Sequence, residues 1–322
     1  MVVPTLAAGE PLDRCLNALR KQTWRDFETI VADNSGQRRV PDAAADRVFQ
    51  HERNLGFGGA INHAAARTES EFVAIVNDDA EASPGWLEAL IRAAQQHPRA
   101  GMFASQVRLD AARIDSAGML LCGDGSSKQR GHGRPPSEFA RVEEALLPSG
   151  SAAMYRRSAL AETGLFDEEF FLYCEDTDLG LRLRWAGWGC VYVADAVVDH
   201  AYSATAGRAS PLKAYLVERN RLRVAVKNFP LGMLAAGPIA GATRYFWHAV
   251  SALGGRGAAG EFAKNDGAAK LVWFAVKAHL ALAPALPDLI RKRRAIPRRI
   301  SAAEFAALAR RFAISPREVA SQ

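Results

Sequence analysis

Glu175, Asp176 and Asp178 stand together in the run FDEEFFLYCEDTDLGLRLRWAGW, residues 166–188, and no other stretch is as densely loaded with groups that can take or hold a proton. Leu179, Leu183 and Ala186 recur behind them at helical spacing, Asp178 can pair with Arg182 one turn on, and Gly187 supplies a stop. The acids therefore fall on the first turn of a short amphipathic helix. A carboxylate placed there can act as general base toward a hydroxyl. Glu175 and Asp178 raise the pKa of Asp176 by like-charge repulsion, the helix N-terminus and any nearby metal lower it, and the sequence leaves the balance open. The plain alternative is that acids near a helix start favour the macrodipole and serve as caps or solvated surface.

A second set follows the apolar run FVAIV, residues 72–76, which ends abruptly in Asn77, Asp78 and Asp79. Two adjacent acids at the end of a buried strand are costly unless a cation meets them, and hard oxygen ligands suit Mg²⁺ or Mn²⁺ that stays partly coordinated by a phosphate. Capping of the following helix is the other reading, but Ser83 with Pro84 behind it already fits that role. His200 follows a strand that would run beside these acids, which leaves it between a structural histidine and a further ligand.

These groups need a scaffold that gathers strand ends. VVPT is a short strand, followed by a helix with Leu12, Leu16 and Leu19 on one side, and FETIVADNSG is a strand ending in Asp33, Asn34, Ser35 and Gly36. Residues 51–94 read as loop, helix, strand, acidic turn, helix. That βαβ rhythm implies an α/β chain, with a mostly parallel, Rossmann-like sheet flanked by helices and its strand ends converging on one edge, where ligands bind. In NLGFGGAINHAA the glycines at 56, 58 and 59 allow close approach of a ligand to the backbone, and the helix N-terminus that follows suits phosphate, although the run is neither GxGxxG nor a P-loop. PSGSAAMYRRSALAETGLF gives a strand through Gly150, Ser151 and Ala152 and a helix from near Ser158. GCVYVADAVVDHAYSAT reads as a strand pair, and SPLKAYLVERNRLRVAVKNFP as a helix with a basic face. Residues 100–147 are expected to be irregular and to wall a pocket.

With 322 residues, about half of them apolar, the chain can bury a sizeable core in one large domain, or one domain with an appendage. Residues 1–229 hold 27 basic and 30 acidic side chains, whereas residues 230–322 hold 14 basic and 5 acidic. A basic last third points to an anionic surface and argues against a uniformly basic nucleic-acid binder. Cys15, Cys122, Cys174 and Cys190 form no CxxC pair, and no signal-peptide pattern is found, so a reduced, cytosolic setting is expected. Segments 229–246 and 271–287 are apolar but are broken by Pro230, Pro238, Lys277, His279 and Pro284, and fall short of the roughly 20 clean residues of a spanning helix. With Trp and Phe beside the cluster RKRRAIPRR, residues 291–299, residues 230–299 carry the pattern of an interfacial helix on anionic lipid, against ordinary packing and a solvated basic tail. Ser301 is expected to cap a last short helix.

The ordered set VVPT, VADNS, NLGFGGAIN, NDD, GSAAMYRR, CEDTDLGLRLRWAGW, DHAYS and RNRLRVAVKNFP resembles the family 2 inverting glycosyltransferases, especially the bacterial rhamnosyltransferase-like branch, over about residues 1–230. The resemblance implies a GT-A catalytic domain over 1–229 with a helical, basic C-terminal extension over 230–322. It further implies a nucleoside-diphosphate sugar donor, a divalent metal (Mg²⁺ or Mn²⁺), and inversion by direct displacement. Asp176 would be the catalytic base, with Glu175 and Asp178 supporting it or facing the acceptor. Thr5, Asp33, Asn34, Asn54, Gly56, Asn62 and Asp78 would bind the donor, and Asp79 and His200 the metal. The sugar would be rhamnose or another deoxyhexose and the acceptor a glycan or lipid-linked glycan in cell-surface polysaccharide synthesis, with no nucleic acid involved and the protein peripheral at the inner face of the membrane. Two departures stand out: Asn77 replaces an acid that many relatives carry, and the first strand lacks residues that relatives carry before VVPT. A nucleotidyltransferase building the activated sugar is the alternative, weakened because LAAGEPLDR offers only Gly9 and Arg14 for a glycine-rich, basic first loop. A non-catalytic, membrane-docked binding protein of the same fold is another.

Overall fold

The computed structural model describes residues 1–200, 210–253, 260, 262 and 267–321. The chain divides into two compact units, one formed by Met1–Met119 with Gln129–Ser203 and the other by Leu120–Lys128 with Ala204–Gln322.

In the first unit the strands are β1 (Val2–Thr5), β2 (Ile30–Asp33), β3 (Arg47–Gln50), β4 (Phe72–Val76), β5 (Ala80–Ala82), β6 (Ala100–Asp110) and β7 (Arg113–Ser116). After the hairpin of β8 (Met119–Leu121) and β9 (Ser127–Gln129) come β10 (Glu143–Glu144), β11 (Ala152–Arg156) and β12 (Gly189–His200). The sheet order is β10-β12-β6-β11-β4-β1-β2-β3, with β5 paired to β12 and β7 to β6. β1, β2, β3 and β4 run parallel, and β12 runs parallel to β6. β11 is inserted antiparallel between β4 and β6. The βαβ rhythm of the sequence is thus realised as a mixed sheet whose same-direction strands deliver their C-terminal ends to one edge.

Helices α1 (Glu10–Arg20), α2 (Gly56–Ala65), α3 (Trp86–Gln96), α4 (Arg157–Thr163) and α5 (Glu175–Trp185) flank this sheet. Leu12, Leu16 and Leu19 of α1 are buried as their spacing predicts, in one cluster with Val3, Val31, Val76, Trp86, Leu90 and Phe103. α3 starts at Trp86 behind Gly85 and uses no side-chain cap, so Ser83 does not take the capping role expected of it.

Two expectations are corrected. Residues 100–147 are not irregular: AGMFASQVRLD is an eleven-residue strand, buried through most of its length. Its glycine and small residues fit because β6 lies inside the sheet, where Trp188 and Ala159 press on Gly101. The segment read as a strand pair is one strand, β12, whose register against β6 jumps between Val193 and Val197. That irregularity bends the strand so that Val198–His200 also pair with β5.

The second unit contains α6 (Pro211–Asn228), α7 (Leu231–Leu253), α8 (Ala268–Leu280), α9 (Leu282–Ala295), α10 (Ala302–Arg311) and α11 (Pro316–Ser321). Ser301 caps α10 in a reciprocal capping box with Glu304, as its position predicts. The expected basic face of α6 is in part internal. Arg221 and Lys227 are buried, and Arg221 pairs with Glu218 on the same helix and with Asp124. Arg244 of α7 joins this cluster, 2.5 Å from Asp124 and 2.8 Å from Glu218. The two arginines hold both carboxyls down near pH 2 against the opposing effect of burial. Cys15, Cys122, Cys174 and Cys190 are all buried, and none of them is in a disulfide.

Candidate active site

The acidic helix start is held in a strained approach. Among the described residues four non-glycine residues have positive φ, and three of them, Phe171, Tyr173 and Cys174, immediately precede Glu175. Each such residue costs about 1–3 kcal/mol, a cost that persists only where the surroundings enforce the geometry, typically at functional sites. Asp178 enforces it from behind. It is fully buried, and its Oδ2 accepts from Arg182 Nε at 2.8 Å. Arg182 in turn donates to the carbonyls of Thr163, Gly164 and Leu165. The i,i+4 pair foreseen from the sequence is therefore a brace that fixes the first turn of α5.

Asp176 is half-buried at the front of that turn. Its Oδ2 accepts from the Gly150 amide at 3.0 Å, and its Oδ1 accepts from the Thr177 amide at 2.6 Å. Burial raises its pKa, while those amides oppose the rise. Glu175 beside it is buried, and its Oε2 has no hydrogen-bond partner among the described residues. Burial, followed by the charge of Asp176, pushes the Glu175 carboxyl up to about 8. The raised Glu175 carboxyl favours its protonated form near neutral pH, and capping does not account for the arrangement: α5 has no side-chain cap bond from its N-cap residue.

The second acidic set meets the first across residues 150 and 151. The Asn77 amide donates to Ser151 O at 2.9 Å, next to the Gly150 amide that holds Asp176. Beyond Asn77, Thr5 at the end of β1 donates to Asp78 Oδ2 at 2.5 Å, and burial, then Asp79, raises the Asp78 pKa. The pairing of β5 with β12 sets Ala80 opposite His200. Asp79 Oδ1 accordingly lies 3.0 Å from His200 Nε2. Asp115 of β7 stands on the other side, its Oδ2 3.7 Å from His200 Nδ1, and also meets His132 at 2.9 Å. Burial alone would lower the imidazole's pKa, but Asp115 and Asp79 raise it to about 9. Asp115 and His132 lie in the segment to which the sequence assigned no chemistry. Ile114 and Ser116 around Asp115 gave no motif to single it out.

The remaining expected donor residues build the loops around this edge. Both oxygens of buried Asp33 accept backbone amides, from Ser35 at 3.0 Å and Val40 at 2.9 Å. Burial alone would raise its pKa, but the Ser35 hydroxyl and these backbone amides hold it below the ordinary range. Asn34 donates to Asn54 Oδ1 and Gly56 O and accepts from the Leu55 amide, while Asn54 accepts from the Gly56 amide. Asn62 clasps the backbone of Phe166 with both ends of its amide. Gly56 has φ of +78°, and a Cβ on it would fall 2.3 Å from Phe171 O; one on Gly58 would meet Phe166 at 2.7 Å. The close approach these glycines permit is made by the chain itself, whose segment 166–171 seats on the loop and so aims Glu175 and Asp176.

The donor set fits a divalent ion in one specific way. Among the described residues no group of three or more His, Cys, Asp or Glu side chains is arranged to hold a metal. Asp79 and His200 make a two-member set, with a carboxylate and an imidazole nitrogen facing each other at 3.0 Å and Asp115 behind the ring. The pair could take an ion only by giving up the proton that Asp79 and Asp115 hold on the imidazole, with substrate phosphate completing the coordination. Residues 201–203 of the DHAYS motif lie outside the described residues.

Known proteins resemble this chain in sequence and in fold. A family model described as Glycosyl transferase family 2 matches residues 1–164. An N-acetylglucosaminyl-diphospho-decaprenol L-rhamnosyltransferase of Mycobacterium tuberculosis is 34% identical over 246 residues, covering 67% of this chain and 80% of that protein. The O-antigen chain rhamnosyltransferase RfbN of Salmonella typhimurium is 24% identical over 220 residues, 64% of this chain and 67% of that one. The crystal structure of GalNAc-T7 with UDP, GalNAc and Mn²⁺ aligns with a TM-score of 0.56 at 15% identity, over 70% of this chain and 47% of that one, so the chain spans about half its length. This is a likeness of fold.

Proposed function

The chain belongs to glycosyl transferase family 2, with a GT-A fold and rhamnosyltransferase-like sequence. From that premise we propose that it moves rhamnose or another deoxyhexose from a nucleoside-diphosphate donor to a hydroxyl of a glycan or lipid-linked glycan, with inversion at the anomeric carbon, in cell-surface polysaccharide synthesis. The observation that carries the reading is the junction at residues 150–151. There the Gly150 amide holds Asp176 and the carbonyl of the next residue, Ser151, holds Asn77, so the two acidic sets that this reading takes for base and diphosphate site are anchored on adjacent residues.

In this reading Asp176 takes the proton of the acceptor hydroxyl as its oxygen bonds to the anomeric carbon, and the bond from that carbon to the diphosphate breaks. Glu175, its carboxyl pushed up by burial and by Asp176, sits beside the base as a buried acid with one oxygen unpartnered among the described residues. Asp178 and Arg182 fix the turn, and Asn34, Asn54, Gly56 and Asn62 fix the loop on which it rests. Thr5 and Asp78 face the donor, with Asp33 shaping the neighbouring loop. Asp79 and His200 would hold Mg²⁺ or Mn²⁺, which when bound stabilises charge on the departing diphosphate. The acceptor reading places the protein, as a peripheral protein, at the inner face of the cell membrane.

Release of nucleoside diphosphate from a donor panel, with Mg²⁺ or Mn²⁺ and a lipid-linked acceptor, tests the activity, and no release from any donor refutes it. Asp176→Asn tests the base: turnover falls by about 10²–10⁴ while calorimetric donor affinity stays within about threefold. Unchanged turnover removes Asp176 from the mechanism.

A further inference from the structure

α7 is built inside out. Across LGMLAAGPIAGATRYFWHAVSAL its one charged residue, Arg244, points inward to Asp124 and Glu218, while large apolar side chains point to solvent. Ile239 is 74% exposed, Phe246 61% and Leu253 90%. With Ala235, Ala242 and Val250 they recur every three or four positions, so a single stripe along about 27 Å of helix is exposed and uncharged. α8 repeats the pattern, leaving Val272, Trp273, Val276 and Leu280 exposed on one side. The two helices approach each other where the rings of Tyr245 and His279 lie 6.3 Å apart.

We infer that the outward faces of α7 and α8 form a docking surface for an anionic lipid bilayer, with both helices lying in the membrane interface. This deepens the membrane part of the reading above and rests on it for its biological setting. Two further observations select a bilayer as the occupant. Exposed cations accompany the apolar stripes: Lys270 on α8, Arg291 and Arg294 at the end of α9, and Arg298 and Arg299 just beyond. Residues 230–322 carry 14 basic against 5 acidic side chains, the charge complement of anionic headgroups. Among the described residues no single helix is long and apolar enough to cross a membrane. α8 and α9 meet that test only as a pair bent by 49°. The buried carboxylates Asp124 and Glu218 explain how the face stays apolar, because they draw the helix's only charge to its inner side.

Flotation of the full chain with vesicles of phosphatidylcholine, alone and mixed with phosphatidylglycerol, tests the inference. The protein is expected to float with the mixed vesicles and to be released by salt. Ile239→Glu combined with Phe246→Glu lowers partition at least about tenfold. Arg298→Glu combined with Arg299→Glu lowers it only on the anionic vesicles. Both pairs keep the wild-type circular dichroism and the wild-type rate of nucleoside diphosphate release with a water-soluble acceptor. Absence of the wild-type chain from the mixed vesicles overturns the inference, as does flotation of the Ile239/Phe246 variant like the wild type. Loss of a dimer in that variant with flotation unchanged assigns the face to a second copy instead. Flotation needs neither donor nor acceptor, so its failure is separate from failure of the catalytic reading.

Discussion

Replacing Glu175 by glutamine should change how stability depends on pH. Glu175 is buried beside Asp176 with one oxygen unpartnered, and its carboxyl is pushed from an ordinary 4.5 to about 8. Between those values the folded protein holds a proton that the unfolded chain releases. The folded state binds more protons there, so stability falls as pH rises, by about 1.4 kcal/mol per pH unit. From pH 5.5 to pH 8 this amounts to about 3 kcal/mol, and above pH 8 the loss levels off because the folded form has also ionised. Glutamine keeps the size of the side chain and never ionises, so Glu175→Gln removes this slope. Urea unfolding of both proteins by tryptophan fluorescence, every half unit across the range, gives the difference directly. The variant is expected to gain on the wild type by about 3 kcal/mol between pH 5.5 and 8. Two stability curves that stay parallel within about 1 kcal/mol would refute the raised Glu175 carboxyl.

Two other perturbations follow from the same packing. Gly56→Ala asks a Cβ to occupy the position of Phe171 O at a φ of +78°, so it is expected to destabilise by roughly 2–4 kcal/mol. It should also lower kcat at least tenfold, because the only relief is to shift the segment that aims Asp176; a wild-type kcat would separate the loop from the site. Arg244→Ala leaves Asp124 and Glu218 sharing Arg221 and is expected to cost about 3–5 kcal/mol. It should appear as faster amide exchange in residues 120–128 and in α6 and α7, and unchanged exchange there would show the cluster to be dispensable.

What the sequence disclosed was periodicity and local chemistry. Leu179 and Leu183 announced α5, Asp178 its pair with Arg182, Ser301 its capping box, and the order of strand ends the sheet edge. What it withheld was long-range pairing. Asp115 reaches His200 only because β7 folds back on β6 while β12 runs beside β6, a register that residues 113–116 do not encode by themselves. The glycines of NLGFGGAIN showed that something comes close to the backbone, but residue type cannot say whether a ligand or Phe171 does so. The basic face of the helix carrying Arg221 gave no sign of being in part internal, because the carboxylate of Asp124 that meets Arg221 lies 97 positions away.

The segment 120–128 has a bearing on how this protein can be cut, joined and made. Arg244 finds its carboxylate 120 positions upstream, on a loop that leaves the first unit and to which the chain does not return until residue 204. The second unit is therefore discontinuous in sequence. A fragment starting at 204 buries Arg221 and Arg244 without Asp124, and one ending at 203 leaves Asp124 without either arginine. During synthesis at about 5–20 residues per second the loop waits roughly 5–20 seconds for Arg221 to emerge, so the last helices made complete a unit begun when little more than a third of the chain was out. Exchange of C-terminal regions between relatives has to carry 120–128 along with 204–322.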